Sequence, residues 1–242
     1  VAMTHVRICQ PHDILHVMPD LEHSINGANE HAAVAVVAVA VSAGGLAPLR
    51  TLVRGFTADT PATMVIAQHV SHRSLLPEIL ADDTSAPVQF AEPGALLRRG
   101  TIYVCPAQQH VIVNPDATFT LSRRERLSFF RPSGDWLFTS AAASFGERAF
   151  AIVMSGLQND GANGTVAVRK AGGTVIVQDP ESCERPEMPT AAIATGAVDF
   201  VLAPDQIPFV LRQLLEQLDV DRCQAQWDAP FLSPVPADEA MA

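Results

Sequence analysis

Short apolar runs alternate with amphipathic segments along most of the chain. Residues 34–41 form a near-continuous series of Val and Ala, which is typical of a β-strand buried on both faces. Helical periodicity follows in residues 164–171, and again from about residue 205 to residue 218, where apolar side chains recur every three or four positions. The other apolar runs are residues 64–67, 149–154, 174–177 and 198–202.

This alternation predicts the fold class. Parallel strands need crossover connections, which are usually helices and right-handed. We therefore predict an α/β protein with a doubly wound, mainly parallel sheet of the Rossmann type. The middle of the chain differs, because residues 101–105, 110–113 and 118–121 are short and β-like, with a turn at residues 114–116. These segments predict an antiparallel hairpin attached to the parallel sheet.

The ends of the chain do not share the strand–helix pattern. Residues 1–32 are predicted to be an N-terminal extension or linker, residues 33–220 the folded domain, and the proline-containing residues 221–242 a flexible tail. His12 and His16 would share one face of a helix and could bind a metal. Nearby prolines leave little room for a helix, however, and no third ligand stands at a useful spacing. We therefore expect no metal site.

Charge limits the classes of partner. The chain has 16 Lys and Arg against 26 Asp and Glu, which gives a formal net charge of −10. Binding to a phosphate backbone needs clustered positive charge, so we expect no nucleic-acid partner. The local basic groups are interpreted as solvated loops and strand edges, with a docking rim for an acidic protein surface as the alternative. They are Arg98, Arg99, Arg123, Arg124, Arg126 and Arg131.

Cysteine usage and run length bear on the compartment. Four cysteines stand far apart and form no C-x-x-C pair, which favours reduced thiols in a cytoplasmic protein. The apolar run at residues 32–41 is much shorter than the ~20 residues of a membrane helix. We therefore expect a cytoplasmic protein without membrane insertion.

Three polar residues each follow a predicted strand. Ser42 directly follows the first strand, His69 follows the second after one residue, and Asp160 lies in the loop after residues 149–154. The carboxyl ends of parallel strands border the ligand crevice of such sheets, so these side chains would converge if the strands are neighbours. A serine nucleophile needs a base, and a carboxylate can orient an imidazole. The sequence therefore indicates a candidate catalytic set.

Each of these residues has another interpretation when it is taken alone. The Ser-Ala-Gly-Gly turn at Ser42 suits either a nucleophile elbow or a phosphate-cradling turn, although neither common phosphate motif is present. The elbow motif is also incomplete, because Ala40 replaces its first glycine. His69 could simply bond to the backbone, and Asp160 could be the N-cap of the helix near Gly164.

Taken together, the motifs resemble the catalytic domain of the chemotaxis protein-glutamate methylesterases, the CheB family, over about residues 34–215. They occur in the order of the family. The motifs are residues 39–45 (VAVSAGG), 68–70 (QHV), 100–106 (GTIYVCP), 131–135 (RPSGD), 154–161 (MSGLQNDG) and 181–183 (ESC), with Met188-Pro189 close behind.

The resemblance implies a Ser–His–Asp triad, with Ser42 as nucleophile, His69 as general base and Asp160 as orienting carboxylate. The implied substrate is a glutamate γ-methyl ester on the cytoplasmic helices of a methyl-accepting chemoreceptor. Hydrolysis would release methanol, and some relatives also deamidate receptor glutamines. No cofactor is implied. Ala43, Gly44 and Leu157 are candidates for the substrate pocket or the oxyanion region.

Several residues depart from the family pattern. Ala43 replaces a usual Thr, Leu157 a usual Met, and Gln158 and Glu187 usual glycines. Gln158 tolerates a positive φ poorly, so the loop conformation is in question. These departures leave open a catalytically weak regulatory or scaffolding domain that binds receptor or signalling partners. A hydrolase of small esters on the same fold is a third hypothesis.

The segment before the first strand is short. Family members commonly carry an N-terminal receiver domain, and about 33 residues are too few for one. We therefore expect a free-standing esterase domain, either constitutively competent or controlled by a separate response regulator.

Overall fold

The computed structural model describes residues 33–69, 74–123 and 131–228, with side chains up to residue 218. Within these residues the chain forms nine strands and six α-helices. The strands are β1 Ala35–Val41, β2 Ala62–Gln68, β3 Val88–Phe90, β4 Ile102–Val104, β5 His110–Val113, β6 Phe119–Ser122, β7 Ala149–Val153, β8 Thr174–Gln178 and β9 Phe200–Leu202. The helices are α1 Leu46–Arg54, α2 Leu76–Ala81, α3 Gly134–Phe145, α4 Ala162–Lys170, α5 Glu187–Ala194 and α6 Ile207–Asp228.

Seven of the strands form one sheet in the order β3-β4-β2-β1-β7-β8-β9, and every neighbouring pair is parallel. In the described part of the chain the sheet begins with the central strand β1, extends to one side through β2, and later continues on the other side of β1 with β7. Strand order reverses at this point, which is where open α/β sheets place their ligand crevice.

The central strand is apolar because both of its faces are covered. All seven residues of β1 are buried. Val36, Ala38 and Ala40 join the core that includes α3, α4, α5 and the hairpin strands. The alternate residues join the core beneath α1, α2 and α6. Since side chains alternate across a strand, one uninterrupted Val/Ala run serves both layers of a doubly wound fold.

The predicted fold class is confirmed, and so is an antiparallel hairpin. Among the described strands, β5 and β6 pair with each other alone, in a separate two-stranded sheet. Helix α3 attaches this hairpin to the rest of the domain, because the Ser140 hydroxyl accepts from the Val113 N–H at 3.1 Å and the Ser144 hydroxyl donates to the Val113 carbonyl at 2.8 Å. Residues 101–105 do not join the hairpin. They contain β4, which lies in the parallel sheet.

The C-terminal helix is longer than predicted. Helix α6 continues to Asp228, ten residues beyond the predicted end at Leu218, so it reaches into the segment predicted as a flexible tail. The predicted extension at residues 1–32, with His12 and His16, lies outside the described residues. No helix in the described part of the chain combines the length and the apolar character needed to cross a membrane.

Candidate active site

Ser42, His69 and Asp160 meet at the carboxyl edge of the sheet. They follow β1, β2 and β7, which are adjacent strands in the order β2-β1-β7. The Nδ1 atom of His69 lies 3.1 Å from the Oγ atom of Ser42, and its Nε2 atom lies 2.7 Å from the Oδ2 atom of Asp160. The three residues therefore form a continuous hydrogen-bonded chain from hydroxyl to imidazole to carboxylate.

The position of the imidazole ring defines what each nitrogen can do. An ionised carboxylate only accepts hydrogen bonds, so Asp160 selects the tautomer that carries its proton on Nε2. In that tautomer Nδ1 has a lone pair directed at the Ser42 hydroxyl. His69 can then remove the hydroxyl proton, and the carboxylate stabilises the imidazolium that results.

Asp160 is fixed by the N-terminus of α3. Its Oδ1 atom accepts hydrogen bonds from the Ser133 hydroxyl at 2.8 Å and the Asp135 N–H at 3.2 Å. Its Oδ2 atom accepts from the Gly134 N–H at 2.6 Å. These N–H groups have no partners within the helix, so Asp160 caps α3 from another part of the chain. It does not cap α4, whose N-cap is Gly161.

The same contacts set the charge of Asp160. Burial alone would raise the pKa of this carboxyl. The hydrogen bonds from His69, Gly134 and Ser133 favour the ionised form and together hold the pKa below its ordinary value. The carboxylate is therefore ionised at neutral pH, as an orienting group for the imidazole requires.

Asp135 forms the reciprocal connection between the two helices. It lies in the first turn of α3, and its Oδ1 atom accepts a hydrogen bond from the Gly164 N–H of α4 at 2.8 Å. Burial raises the pKa of Asp135; the Gly164 hydrogen bond opposes this rise, and the nearby charge of Asp160 adds to it. Asp160 therefore caps α3 and Asp135 caps α4, which ties the loop after β7 to both helices.

The turn at Ser42 requires glycine at position 44. The Ser42 N–H donates to the Ser155 carbonyl at 2.9 Å, and the Gly45 N–H donates back to the Ser42 carbonyl at 3.1 Å. Gly44 has a φ of +73°. A Cβ added at Gly44 would lie 2.5 Å from the Cβ of Glu184. Only glycine satisfies both the left-handed conformation and this close approach.

Ser155 supports the turn from below and was not identified from the sequence. Its buried hydroxyl donates to the Ala43 carbonyl at 2.8 Å and accepts from the Arg185 N–H at 3.0 Å. Its own N–H donates to the Oε1 atom of Gln178 at 3.0 Å. Ser155 thus joins the nucleophile turn to the loop after β8. The one sequence feature that could have identified Ser155 is its position inside the motif at residues 154–161.

Ala40, which replaces the first glycine of the elbow motif, is accommodated by two glycines opposite it. A Cβ added at Gly134 would lie 2.7 Å from the Cβ of Ala40, and one added at Gly161 would lie 3.6 Å from it. The methyl group of Ala40 therefore occupies space left by Gly134, at the same place where the Gly134 N–H reaches Asp160.

The loop after β7 contains two of the departures from the family pattern. Gln158 has a φ of +68°, so the chain keeps the left-handed conformation without glycine. Leu157 is 42% exposed and is not among the residues that line the cleft at Ser42. The preceding Gly156 packs against Ser42, because a Cβ there would lie 2.8 Å from the Cβ of Ser42 and 2.1 Å from the Sδ of Met188.

An open cleft of about 640 Å³ lies over Ser42 and His69. Predicted pocket residues Ala43 and Gly44 border it, together with the first two turns of α1. Two charged side chains border it as well, Arg50 and Glu184. The full lining is Ser42, Ala43, Gly44, Leu46, Ala47, Arg50, Gln68, His69 and Glu184.

The described basic residues considered as a docking rim do not line this cleft. Arg98, Arg99 and Arg123 are exposed, and Arg124 and Arg126 fall in the undescribed segment. Among the described residues, no group of three His, Cys, Asp or Glu side chains is arranged to hold a metal ion.

Comparison with known proteins gives a consistent set of matches. The sequence model described as CheB methylesterase matches residues 37–211. A protein-glutamate methylesterase/protein-glutamine glutaminase of Anaeromyxobacter dehalogenans is 39% identical over 175 residues, which cover 71% of this chain and 51% of that protein. A putative enzyme of the same description from Leptospira interrogans is 32% identical over 173 residues, covering 71% of this chain and 90% of that protein.

A solved structure matches as well. The crystal structure of the Thermotoga maritima CheB methylesterase catalytic domain has a TM-score of 0.71 and 29% sequence identity, and the match covers 74% of this chain and 98% of that domain. The chain spans about half the length of several of the curated relatives that it matches.

Proposed function

Because the chain belongs to the CheB methylesterase family, we propose that it hydrolyses glutamate γ-methyl esters on the cytoplasmic helices of a methyl-accepting chemoreceptor. Ser42 is the nucleophile, His69 the general base and Asp160 the orienting carboxylate. The same site deamidates receptor glutamines, since an amide differs from the ester only in its leaving group. A separate response regulator is the proposed controlling partner, and the cytoplasm the proposed location.

The observation that carries this proposal is the hydrogen-bonded chain of the three side chains, with contacts of 3.1 Å and 2.7 Å. These distances are within hydrogen-bond reach for proton transfer between hydroxyl and imidazole. The proposal also rests on the buried, ionised state of Asp160, because a neutral carboxyl would neither fix the tautomer nor stabilise the imidazolium.

Acylation begins when the Ser42 Oγ attacks the ester carbonyl carbon while its proton moves to the Nδ1 atom of His69. The tetrahedral intermediate collapses with cleavage of the bond between this carbon and the methoxy oxygen. The Nδ1 proton passes to that oxygen, and methanol leaves. Ser42 then holds the glutamyl group as an ester.

Deacylation repeats these steps with water. His69 removes a proton from the water, whose oxygen adds to the acyl carbon, and the proton returns to the Ser42 Oγ as the acyl bond breaks. The products are a glutamate side chain and the regenerated enzyme. With a glutamine substrate, ammonia leaves in the first half of the reaction instead of methanol.

The developing oxyanion needs hydrogen-bond donors, and several backbone N–H groups near Ser42 are already engaged. Those of Ser42, Gly45 and Gly156 donate to the carbonyls of Ser155, Ser42 and Arg185. The N–H groups of Ala43 and Gly44, which border the cleft, are the proposed oxyanion donors. Their position before the N-terminus of α1 adds the favourable end of the helix dipole.

Covalent labelling tests whether Ser42 is activated. A serine-directed fluorophosphonate is expected to label the folded chain at Ser42, because only a serine paired with a base reacts readily. Ser42→Ala should abolish labelling, and Ser85→Ala, which removes an exposed serine, should leave it unchanged. A folded protein that takes up no label would contradict the triad and favour the regulatory or scaffolding hypothesis.

A further inference from the structure

Arg50 borders the cleft that contains Ser42 and His69. It lies on α1, the helix that begins directly after the nucleophile turn. Its side chain keeps 43% of its surface exposed. Neither the acylation nor the deacylation steps use this cation.

A buried carboxylate fixes the position of Arg50. The Nε atom of Arg50 lies 2.5 Å from the Oδ2 atom of Asp83, and its Nη2 atom lies 3.3 Å from the Oδ1 atom. The Asp83 side chain is only 5% exposed. A two-point contact of this kind fixes both the place and the plane of a guanidinium.

Asp83 is shared between two arginines. The Nε and Nη2 atoms of Arg54 both lie 3.0 Å from the same Oδ1 atom. Two cations therefore share one anion. Arg50, Arg54 and Asp83 together carry a net charge of +1, and Asp82, which interacts more weakly with Arg50, offsets part of it. Arg54 does not line the cleft, so Arg50 alone of the pair presents that charge there.

The remaining donors of Arg50 suit a second carboxylate. A guanidinium has five N–H donors, and Asp83 takes one from Nε and one from Nη2. The other three include one N–H on Nη2 and two on Nη1. A second carboxylate can therefore accept hydrogen bonds from Nη1 and Nη2 while Asp83 remains bound to Nε and Nη2.

We propose that Arg50 forms a substrate subsite for an acidic side chain close to the scissile ester. The inference rests on the proposed function and specifies its substrate class, which is a peptide that presents a neutral glutamyl ester at Ser42 and a carboxylate at Arg50.

Glu184 places a negative charge at the border of the cleft. It borders the same cleft from the loop after β8, and its Cβ packs against Gly44. No ion pair between described residues joins Glu184 to Arg50, so the Glu184 carboxylate is not in direct contact with the guanidinium. An acidic substrate group is attracted on the α1 side of the cleft and repelled on the Glu184 side.

Matched peptides test the subsite. Two helical peptides carry the same glutamate γ-methyl ester, flanked by Glu in one and by Gln in the other. The wild-type chain should have a KM about tenfold lower for the acidic peptide, with a similar kcat, because a charge-assisted contact made equally in ground and transition states changes binding alone. Arg50→Gln should remove this preference, and Arg50→Lys should restore part of it.

Arg54→Gln is the matched control, because it removes the other arginine on Asp83 without touching the cleft. It should keep the tenfold preference. An equal preference in wild type and Arg50→Gln, or an equal loss of preference in Arg54→Gln, would overturn the proposal.

Binding of both peptides to Ser42→Ala separates this inference from the proposed function. Tighter binding of the acidic peptide that depends on Arg50 supports the subsite even if the wild-type chain releases no methanol. Equal binding of the two peptides contradicts the subsite even if methanol is released.

Discussion

Gln158 stands in a left-handed conformation that glycine adopts without strain. Its side chain is exposed, so the cost of the conformation is not repaid by packing. A non-glycine residue in this region costs roughly 1–2 kcal/mol. The loop before Asp160 is therefore held in shape by its surroundings, including the Gly156 N–H bond to the Arg185 carbonyl.

We expect Gln158→Gly to raise the free energy of unfolding by about 0.5–1 kcal/mol. Relief of the strain exceeds the greater entropy that glycine gives the unfolded chain, which is roughly 0.5–1 kcal/mol. Denaturant unfolding measures the change. Gln89→Gly, at an exposed extended position in β3, is the control and should destabilise by a similar amount. A loss of stability in Gln158→Gly would show that the glutamine side chain contributes a contact of its own.

The meeting of Ser42, His69 and Asp160 could be predicted because each follows a strand, and strand ends are visible in an apolar pattern. Their supporting residues could not. Ser133 and Gln178 act through hydrogen bonds to Asp160 and Ser155, over sequence separations of 27 and 23 residues. Ser133 and Ser155 lie within the motifs at residues 131–135 and 154–161, but nothing local in the sequence shows which distant group each would bind.

At the scale of elements, the N-terminus of α3 depends on a residue that is not part of it. Ser133 is the N-cap, but its side chain makes no cap hydrogen bond and donates to Asp160 instead. Asp160 supplies the missing acceptor to the first turn. The same hydrogen bonds therefore cap this helix and position the Asp160 carboxylate.

Asp160→Asn should destabilise the fold at neutral pH by roughly 1.5–3 kcal/mol, since hydrogen bonds to a charged acceptor are lost. The pKa of Asp160 is lowered in the folded chain. Its stabilisation is therefore complete above the unfolded pKa, near ~3.9, and is lost as the pH falls through the folded pKa. The stability difference between wild type and variant should shrink below about pH 4.

Chemical unfolding at a series of pH values measures this difference. Asp205→Asn, which alters an exposed aspartate, is the control for a general effect of charge. A difference between wild type and Asp160→Asn that stays constant from neutral to acidic pH would contradict the account of the cap.

The apolar pattern predicts the long buried strands but not the short strand β3 or the end of α6. The long buried strands were predicted because both of their faces are apolar. Strand β3 has only three residues, none of them fully buried, and was not predicted. Helix α6 continues past Leu218 through residues 219–228, where Asp221 and Arg222 occupy the sequence positions that would extend the apolar face.

At the scale of the whole molecule, topology creates the site. Strand β1 lies between β2 and β7, so the loops that carry Ser42, His69 and Asp160 leave the sheet side by side. The carboxylate comes from a strand formed more than a hundred residues after the nucleophile. Sequence order alone leaves this adjacency open, and the reversal of strand order at β1 decides it.

The proposed esterase activity is tested most directly by methanol release from methylated receptor membranes, measured with the wild-type chain and with Ser42→Ala. If Ser42 is the nucleophile, we expect methanol release by the wild type and none above background by Ser42→Ala, with both proteins folded. Equal release by the two, or no release by a folded wild-type chain that Ser42 labelling shows to be active, would contradict the assignment of this site as a protein-glutamate methylesterase.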